Sequence, residues 1–241
     1  MLISIIVPAF NEAAILGETL GGIRLAAAAF EAAGHEWELI VCDNNSTDAT
    51  AAIAREAGAR VVFEPINQIG RARNAGAAAA AGQWLVFVDA DSHPSRGLLA
   101  DVARTIASGR CLAGGSTVTV DHQAVAVRLA IGFWNLTSRV LRWGAGSFIF
   151  CESAAFRAVG GFSLRWYAGE EIDLFRRLKR VARRDRRSIC ILAGHPLQTS
   201  ARKAHLYSPR ELFLFQVRTI LTGGRNLRSA DGSHLWYDGR R

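Results

Sequence analysis

Apolar residues come in short unbroken runs along this chain, and each run gives way to a stretch where they recur at helical spacing. "LISIIVPAF" (2–10) is such a run, and in the following "NEAAILGETLGGIRLAAAAFEAAG" Ile15, Leu16, Leu20, Ile23 and Phe30 fall near one helix face. Asn11 stands where it would cap that helix. The alternation continues: "WELIVCD" predicts a strand, "TDATAAIAREAG" a helix opened by Thr47 or Asp48, "ARVVFE" a strand, "GRARNAGAAAAAG" a helix and "QWLVFVD" a strand. Strands this apolar, each followed by a helix, predict a mainly parallel α/β sheet covered on both faces.

The second half is less regular. Strands are expected at "CLAGGSTVTV", "SFIFCES" and "SICILAG", and helices at "AVAVRLAIGFWNLTSRVLRW", "GEEIDLFRRLKRVARR" and "PRELFLFQVRTILTG". No internal repeat, linker or low-complexity tail interrupts residues 1–241, so a single domain is the simplest expectation.

In parallel sheets ligands bind beyond the carboxyl ends of the strands. The polar residues there are Asn11 and Glu12, then Asp43, Asn44 and Asn45, then Asp89 and Asp91. Asp89 and Asp91 can aim into one small volume where the chain bends. Such a pair suits a hard divalent ion that completes its shell with water and phosphate. The plain alternative is a solvated turn in which Asp91 caps a helix near Pro94. Arg71 and Arg73 open an alanine-rich helix, where cations oppose the helix dipole, so an anionic ligand nearby would explain them. "GAGSF" at 144–148 is too short a glycine pattern to indicate a dinucleotide site.

Half of the residues are apolar, which excludes a disordered chain, yet no apolar run reaches the ~18 residues a spanning helix needs. The opening segment has no basic flank or cleavage signal, so it is expected to be a first strand in a soluble, cytoplasmic protein. Cys42, Cys111, Cys151 and Cys190 are widely spaced and are expected to be isolated, reduced thiols. The sequons at Asn44, Asn45 and Asn135 would then carry no sugar.

Charge is uneven. Residues 1–120 hold 8 basic and 12 acidic side chains, whereas residues 121–241 hold 21 and 9, so a net +12 sits in the second half. An anionic partner is implied there. Its aromatics do not alternate with arginines as nucleic-acid stacking platforms would, so nucleic acid is not expected. The run Arg176 to Arg187 reads mainly as a solvated helix end, and leaves open peripheral, electrostatic contact with an anionic membrane, at the inner face of the cell membrane. The helix over 124–143 is expected to be an acceptor-side or core helix, with interfacial membrane contact as the alternative.

"VPAFNE", "VCDNNSTDAT", "GRARNAGAAAAAG" and "VFVDAD", in this order, followed by "GAGSFIFCESAAFRAVGGF…GEEIDLFRRL", resemble the family 2 glycosyltransferases with the GT-A, Rossmann-like nucleotide-diphosphosugar fold. The resemblance implies a metal-dependent, inverting transfer of sugar from a nucleotide-diphosphosugar to a hydroxyl acceptor. Residues 1–120 would bind the donor, and 121–241 would shape the acceptor site and supply the base. It places Pro8, Ala9, Phe10 and Glu12 along the nucleoside, and Asp43 on the nucleobase. Within the Asp89-Ala90-Asp91 motif, Asp89 would reach the ribose or the metal's water shell, and Asp91 would bind Mn²⁺ or Mg²⁺. The family's catalytic acidic pair, usually Glu-Asp, falls on Glu170 and Glu171, a departure that leaves the base less certain. Its second member makes Glu171 the expected base, with Asp173 on the helix surface or paired with an arginine.

"GHPLQTSARKAH" concentrates His195, Ser200, Arg202, Lys203 and His205 after a strand. His195 is a candidate metal ligand or a structural histidine, and Arg202 a candidate diphosphate contact. The rivals are a retaining glycosyltransferase or nucleotidyltransferase of the same fold, and a non-catalytic nucleotide-sugar binder. Donor base, sugar, acceptor and oligomeric state are not legible.

Overall fold

The computed structural model describes residues 1–120, 125–200, 214 and 225–228. The last expected helix, 209–223, and the candidates Arg202, Lys203 and His205 therefore lie outside the described residues, apart from Leu214.

The first half alternates as its pattern predicts: β1 (Leu2–Ala9), α1 (Leu16–Ala32), β2 (Glu36–Asp43), α2 (Thr50–Glu56), β3 (Arg60–Phe63), α3 (Ile69–Ala79) and β4 (Trp84–Val88). Then come β5 (Ser92–His93), α4 (Arg96–Ala107), β6 (Cys111–Val120), α5 (Val125–Leu141), β7 (Phe148–Glu152), α6 (Ser153–Ala158), α7 (Glu170–Arg184) and β8 (Ser188–Thr199), with a 3₁₀ turn at Arg225–Arg228. One sheet carries all the described strands, in the order β3-β2-β1-β4-β7-β6-β8-β5. The pairs among β3, β2, β1 and β4 are parallel, while β7 runs antiparallel to both β4 and β6. The sheet thus joins both halves of the chain, in the mainly parallel, mixed order of an α/β fold.

Strand alternation explains the unbroken apolar runs. Ile3, Ile5, Val7, Trp84, Val86 and Val88 pack with α1 and α4, through Leu16, Leu20, Phe30, Leu98 and Val102. Ile6, Leu85 and Phe87 turn the other way, toward Phe156, Phe162, Leu174, Phe175 and Leu178 beneath α6 and α7. Because both faces are buried, every position on these strands is apolar or small. Burying a side chain of this size is worth about 1.5–3 kcal/mol, so this double-sided core dominates stability.

Three helix starts differ from the sequence reading. Asn11 does not cap α1: it sits in left-handed conformation at φ 51 and its Oδ1 accepts the Thr47 amide at 2.8 Å, while the helix begins after Ile15. Asp48 precedes α2 and accepts the Thr50 amide, but Ala49 is the capping position. The cap of α4 is Ser95, whose hydroxyl accepts the Leu98 amide at 3.1 Å, and not Asp91.

The expectation of four isolated thiols fails for two of them. Neighbouring parallel strands β6 and β8 bring Cys111 and Cys190 together across 79 residues of sequence, with Cα atoms 6.2 Å apart, and their sulfurs are joined as a disulfide. Such a separation is within the usual range for a cystine. Cys42 and Cys151 stay free and buried; burial, then the charges of Glu64 and Asp43, pushes Cys42 up to about 12.

Candidate active site

Strands β1, β2 and β4 are parallel neighbours, and the register pairs Ala9 with Asp43, so their carboxyl ends open onto one edge of the sheet. Buried Pro8 and Ala9 and half-buried Phe10 end β1, and the backbone amide of buried Glu12 donates to Thr50 Oγ1 at 2.8 Å. Asp48 accepts from the amides of Ala13 and Thr50 and from the Thr50 hydroxyl. Burial alone would raise its carboxyl, but these hydrogen bonds hold it below its ordinary value. The segment 46–50 is therefore a turn stapled to the loop 11–13.

Asp43 is buried at the end of β2, and one carboxylate oxygen accepts the Ser46 amide at 3.0 Å. Asn44 is committed elsewhere. Its Nδ2 donates to the carbonyls of Glu64 and Ile66 and its Oδ1 accepts from Gln68, so it braces the loop before α3 instead of offering an edge to a base.

Asp89, Ala90, Asp91 and Ser92 form a turn closed by the Ser92 amide on the Asp89 carbonyl at 3.0 Å. The Asp89 amide donates to the Ser147 carbonyl, that of Ser200 donates to the Asp91 carbonyl, and Thr19 holds the Ala90 carbonyl at 2.7 Å. The backbone bend expected between the two carboxylates is thus present and fixed from three sides. Among the described residues no three His, Cys, Asp or Glu side chains gather as a metal site. Two half-buried carboxylates still fit a hard cation that takes its remaining oxygens from phosphate and water.

Arg73 joins this turn to the second half of the chain. It is buried, with Nη1 donating to Glu170 Oε1 at 2.6 Å and Nη2 to Asp89 Oδ1 and the Gly146 carbonyl, both at 2.8 Å. The guanidinium also lies over the Phe162 ring at 5.2 Å. Burial would lower its proton affinity, but the charges of Asp89 and Glu170 outweigh that and keep it above its ordinary value. Arg71 is half-buried two residues earlier on α3, about 200° around the helix from Arg73.

Glu170 and Glu171 open α7, where the helix dipole favours acids. Gly169 makes this start possible, since its φ of 77 is the left-handed conformation only glycine adopts at little cost. Glu170 is buried; burial, then the charge of Glu171, pushes its carboxyl up to about 8 against the pull of Arg73. One cation facing Asp89, Glu170 and Glu171 does not offset three carboxylates. Glu171 is half-buried at the same spot, and a Cβ added at Gly146 would lie 3.5 Å from both its carboxyl carbon and Arg73 Nη2. Asp173 is paired with Arg177 at 2.7 Å, as expected.

Asp89, Arg73, Glu170 and Glu171 therefore converge, while Asp43 and Asp91 stand at and just beyond the carboxyl ends of β2 and β4, on either side of β1. His195 does not join the Asp89–Asp91 turn. Its Nδ1 lies 2.9 Å from Asp101 Oδ2 and its ring packs on Gly97, so α4 holds it through a structural hydrogen bond. Sequence reasoning missed Gln68, whose Nε2 donates to the carbonyls of Leu164 and Trp166 at 3.0 Å, and Asn74, whose amide brackets Phe162. Their place beside Arg73 on one helix was the available signal.

The sequence profile described as "Glycosyl transferase family 2" matches residues 4–160, more than half of the chain. An uncharacterized glycosyltransferase of Mycobacterium bovis is 34% identical over 113 residues, 47% of each chain, so this chain spans about half the length of that relative. The fold is similar to a mannosyltransferase of Pyrobaculum calidifontis in complex with GDP-Man and Mn²⁺, with TM-score 0.66 and 19% identity over 81% of this chain and 56% of that one. It is also similar to glucosyl-3-phosphoglycerate synthase from Mycobacterium tuberculosis in complex with Mn²⁺, UDP and phosphoglyceric acid, with TM-score 0.61 and 20% identity over 91% and 75%.

Proposed function

This chain belongs to glycosyl transferase family 2, and from that premise we propose that it moves a sugar from a nucleotide-diphosphosugar to a hydroxyl acceptor with inversion at the anomeric carbon. The observation that carries the reading is the hydrogen-bonded bridge from Asp89 through buried Arg73 to Glu170, which sets a donor-side turn beside an acidic helix start. The nucleoside would lie along Pro8 to Glu12 with Asp43 on its base. Arg71 and Arg73 would favour the anionic donor, Arg73 by fixing Asp89. Glu171 would take the proton of the acceptor hydroxyl as its oxygen bonds to the anomeric carbon. The bond from that carbon to the diphosphate oxygen breaks, and the electron pair leaves with the nucleoside diphosphate. A divalent ion held by Asp91, with Asp89 at its water shell, would neutralise charge on that leaving group. Mn²⁺, Mg²⁺, GDP-Man and UDP in the structural neighbours support this donor class and cofactor.

The test is a panel of nucleotide-sugars assayed for release of nucleoside diphosphate, with Mn²⁺, Mg²⁺ or chelator, and with the product's anomeric configuration read by NMR. Release of pyrophosphate from a nucleoside triphosphate instead would identify a nucleotidyltransferase, and binding without turnover a non-catalytic binder. In calorimetry, Asp91→Ala is expected to remove the metal-dependent part of nucleoside diphosphate affinity. Asp43→Ala should weaken binding with or without metal. Equal wild-type affinity in chelator and in Mn²⁺ would end the metal assignment.

A further inference from the structure

Among the described residues, helix α5 is docked by one face only. Asn135 fastens it to β6, its Oδ1 accepting the Val118 amide and its Nδ2 donating to the Val118 carbonyl, both at 2.9 Å. Ile131 and Trp134 pack on the core, and Ser138 donates to the Trp143 carbonyl at 2.5 Å. The opposite face carries Val125, Leu129, Phe133, Leu136 and Val140, each between 60 and 73% exposed. At ~100° per residue these five fall within an arc of about 80°, so they form one continuous apolar stripe.

Cations line this stripe. Exposed Arg128 and Arg139 lie about 40–60° beyond one edge of the arc, and α5 contains no acidic residue. Beyond its C-terminal end, exposed Arg142 meets the basic face of α7. Lys179 donates to the Leu141 carbonyl, and Arg176 and Lys179 both stand 5.5 Å from the Trp143 ring. Lys179 is held below its ordinary value by burial and then by Arg183, Arg142 and Arg176, which places four cations together. Exposed Arg180 and Arg183 continue the patch along α7.

We infer that α5 and the adjoining face of α7 form a docking surface for an anionic lipid bilayer, with α5 lying in the interface plane. The apolar stripe enters the boundary of the acyl chains, and the flanking arginines meet the headgroups. Charge decides the occupant: a second copy would bring arginine against arginine, whereas an anionic bilayer complements both parts of the surface. Among the described residues no helix is long and apolar enough to cross a membrane, so the contact is interfacial. The stripe alters the expectation of a purely electrostatic contact: salt weakens the arginine part, screened within ~10 Å at 0.1 M, and leaves the apolar part.

Sedimentation with vesicles of phosphatidylcholine alone, or with phosphatidylserine added, tests this on the whole chain. The wild type is expected to pellet with the anionic vesicles, to lose most binding in high salt, and to keep a bound fraction that zwitterionic vesicles also retain. Leu129→Asp with Phe133→Asp should abolish that fraction. Arg180→Glu with Arg183→Glu should weaken low-salt binding at least about tenfold and leave the residue intact. Circular dichroism shows whether each variant is folded, and the wild-type salt series stands without them. Absence of wild-type pelleting with anionic vesicles overturns the inference, as does folded Leu129→Asp/Phe133→Asp protein that pellets undiminished in high salt. A concentration-dependent dimer that those substitutions dissolve would overturn it too, by assigning the stripe to a second copy. None of these readouts depends on glycosyl transfer.

Discussion

Glu170 and Glu171 are chain neighbours with different tasks, because a helix turns ~100° between them. Glu170 points into the protein against Arg73, while Glu171 remains half-buried beside Gly146. Glu171→Gln is therefore expected to leave nucleotide-sugar affinity nearly unchanged and to lower turnover by ~10²–10⁴, the span typical of a lost general base. Near-normal turnover, with the loss appearing in Glu170→Gln or Asp173→Asn, would move the base to that residue. Glu170 should instead be visible in stability. Its carboxyl rises from the ordinary 4.5 to about 8 on folding, so the folded state favours its proton. That contribution is fully present below 4.5 and is lost as pH rises through about 8. Across this window the thermal midpoint of the wild type should fall relative to that of Glu170→Gln; parallel curves would show that Glu170 does not titrate there.

At the level of elements, α3 couples the first half of the chain to the second. Gln68, Arg73 and Asn74 lie on it or at its cap, and all three reach residues 162–170. Removing one partner from a buried ion pair costs about 3–5 kcal/mol, so Arg73→Met should lower stability in urea by that order. Arg71→Met, on the half-buried side of the same turn, should cost under about 0.5 kcal/mol and show its effect in nucleotide affinity. A comparable stability loss in both variants would refute the division of roles. Parts of this arrangement were legible beforehand. The apolar runs predicted β1, β2, β4 and β6, because strands buried on both faces leave an unbroken signal. The ends of those strands placed Asp43, Asp89 and Asp91 on one edge. The partners of Arg73 were not legible, since a guanidinium near a helix start reads as an anion contact until the fold shows carboxylates already there. Short β5 and α6 carry too few residues for a period, and Ser95 outcompeted Asp91 as a cap through its position relative to Leu98. For α5 the sequence gives amphipathicity but not which side the sheet covers; Asn135 settles that by gripping β6.

Across the whole molecule, the sheet changes character at β4. On one side lie the parallel strands β3, β2 and β1, and on the other β7, β6 and β8, which must hold Gly146 and the start of α7 against Asp89. That second part is less regular and carries the excess of positive charge, so it needs other fastenings. Arg187 supplies one, pairing with Glu152 and donating to the Cys111 carbonyl at 2.5 Å. The Cys111–Cys190 disulfide supplies another, closing a loop over 79 positions. In the chain-entropy account a loop of this size restricts the unfolded state by about 4–5 kcal/mol. Treatment with dithiothreitol, or Cys111→Ser, should therefore lower the thermal midpoint by several degrees, with the two effects not adding. Thiol titration checks the premise independently of stability. Cys42 and Cys151 are buried and hold their protons tightly, so the native protein should react slowly; denaturation without reductant should release two thiols, and with prior reduction four. Four thiols from unreduced protein would mean that β6 and β8 are held by backbone pairing and the Arg187 clasp alone, and dithiothreitol should then leave the midpoint unchanged.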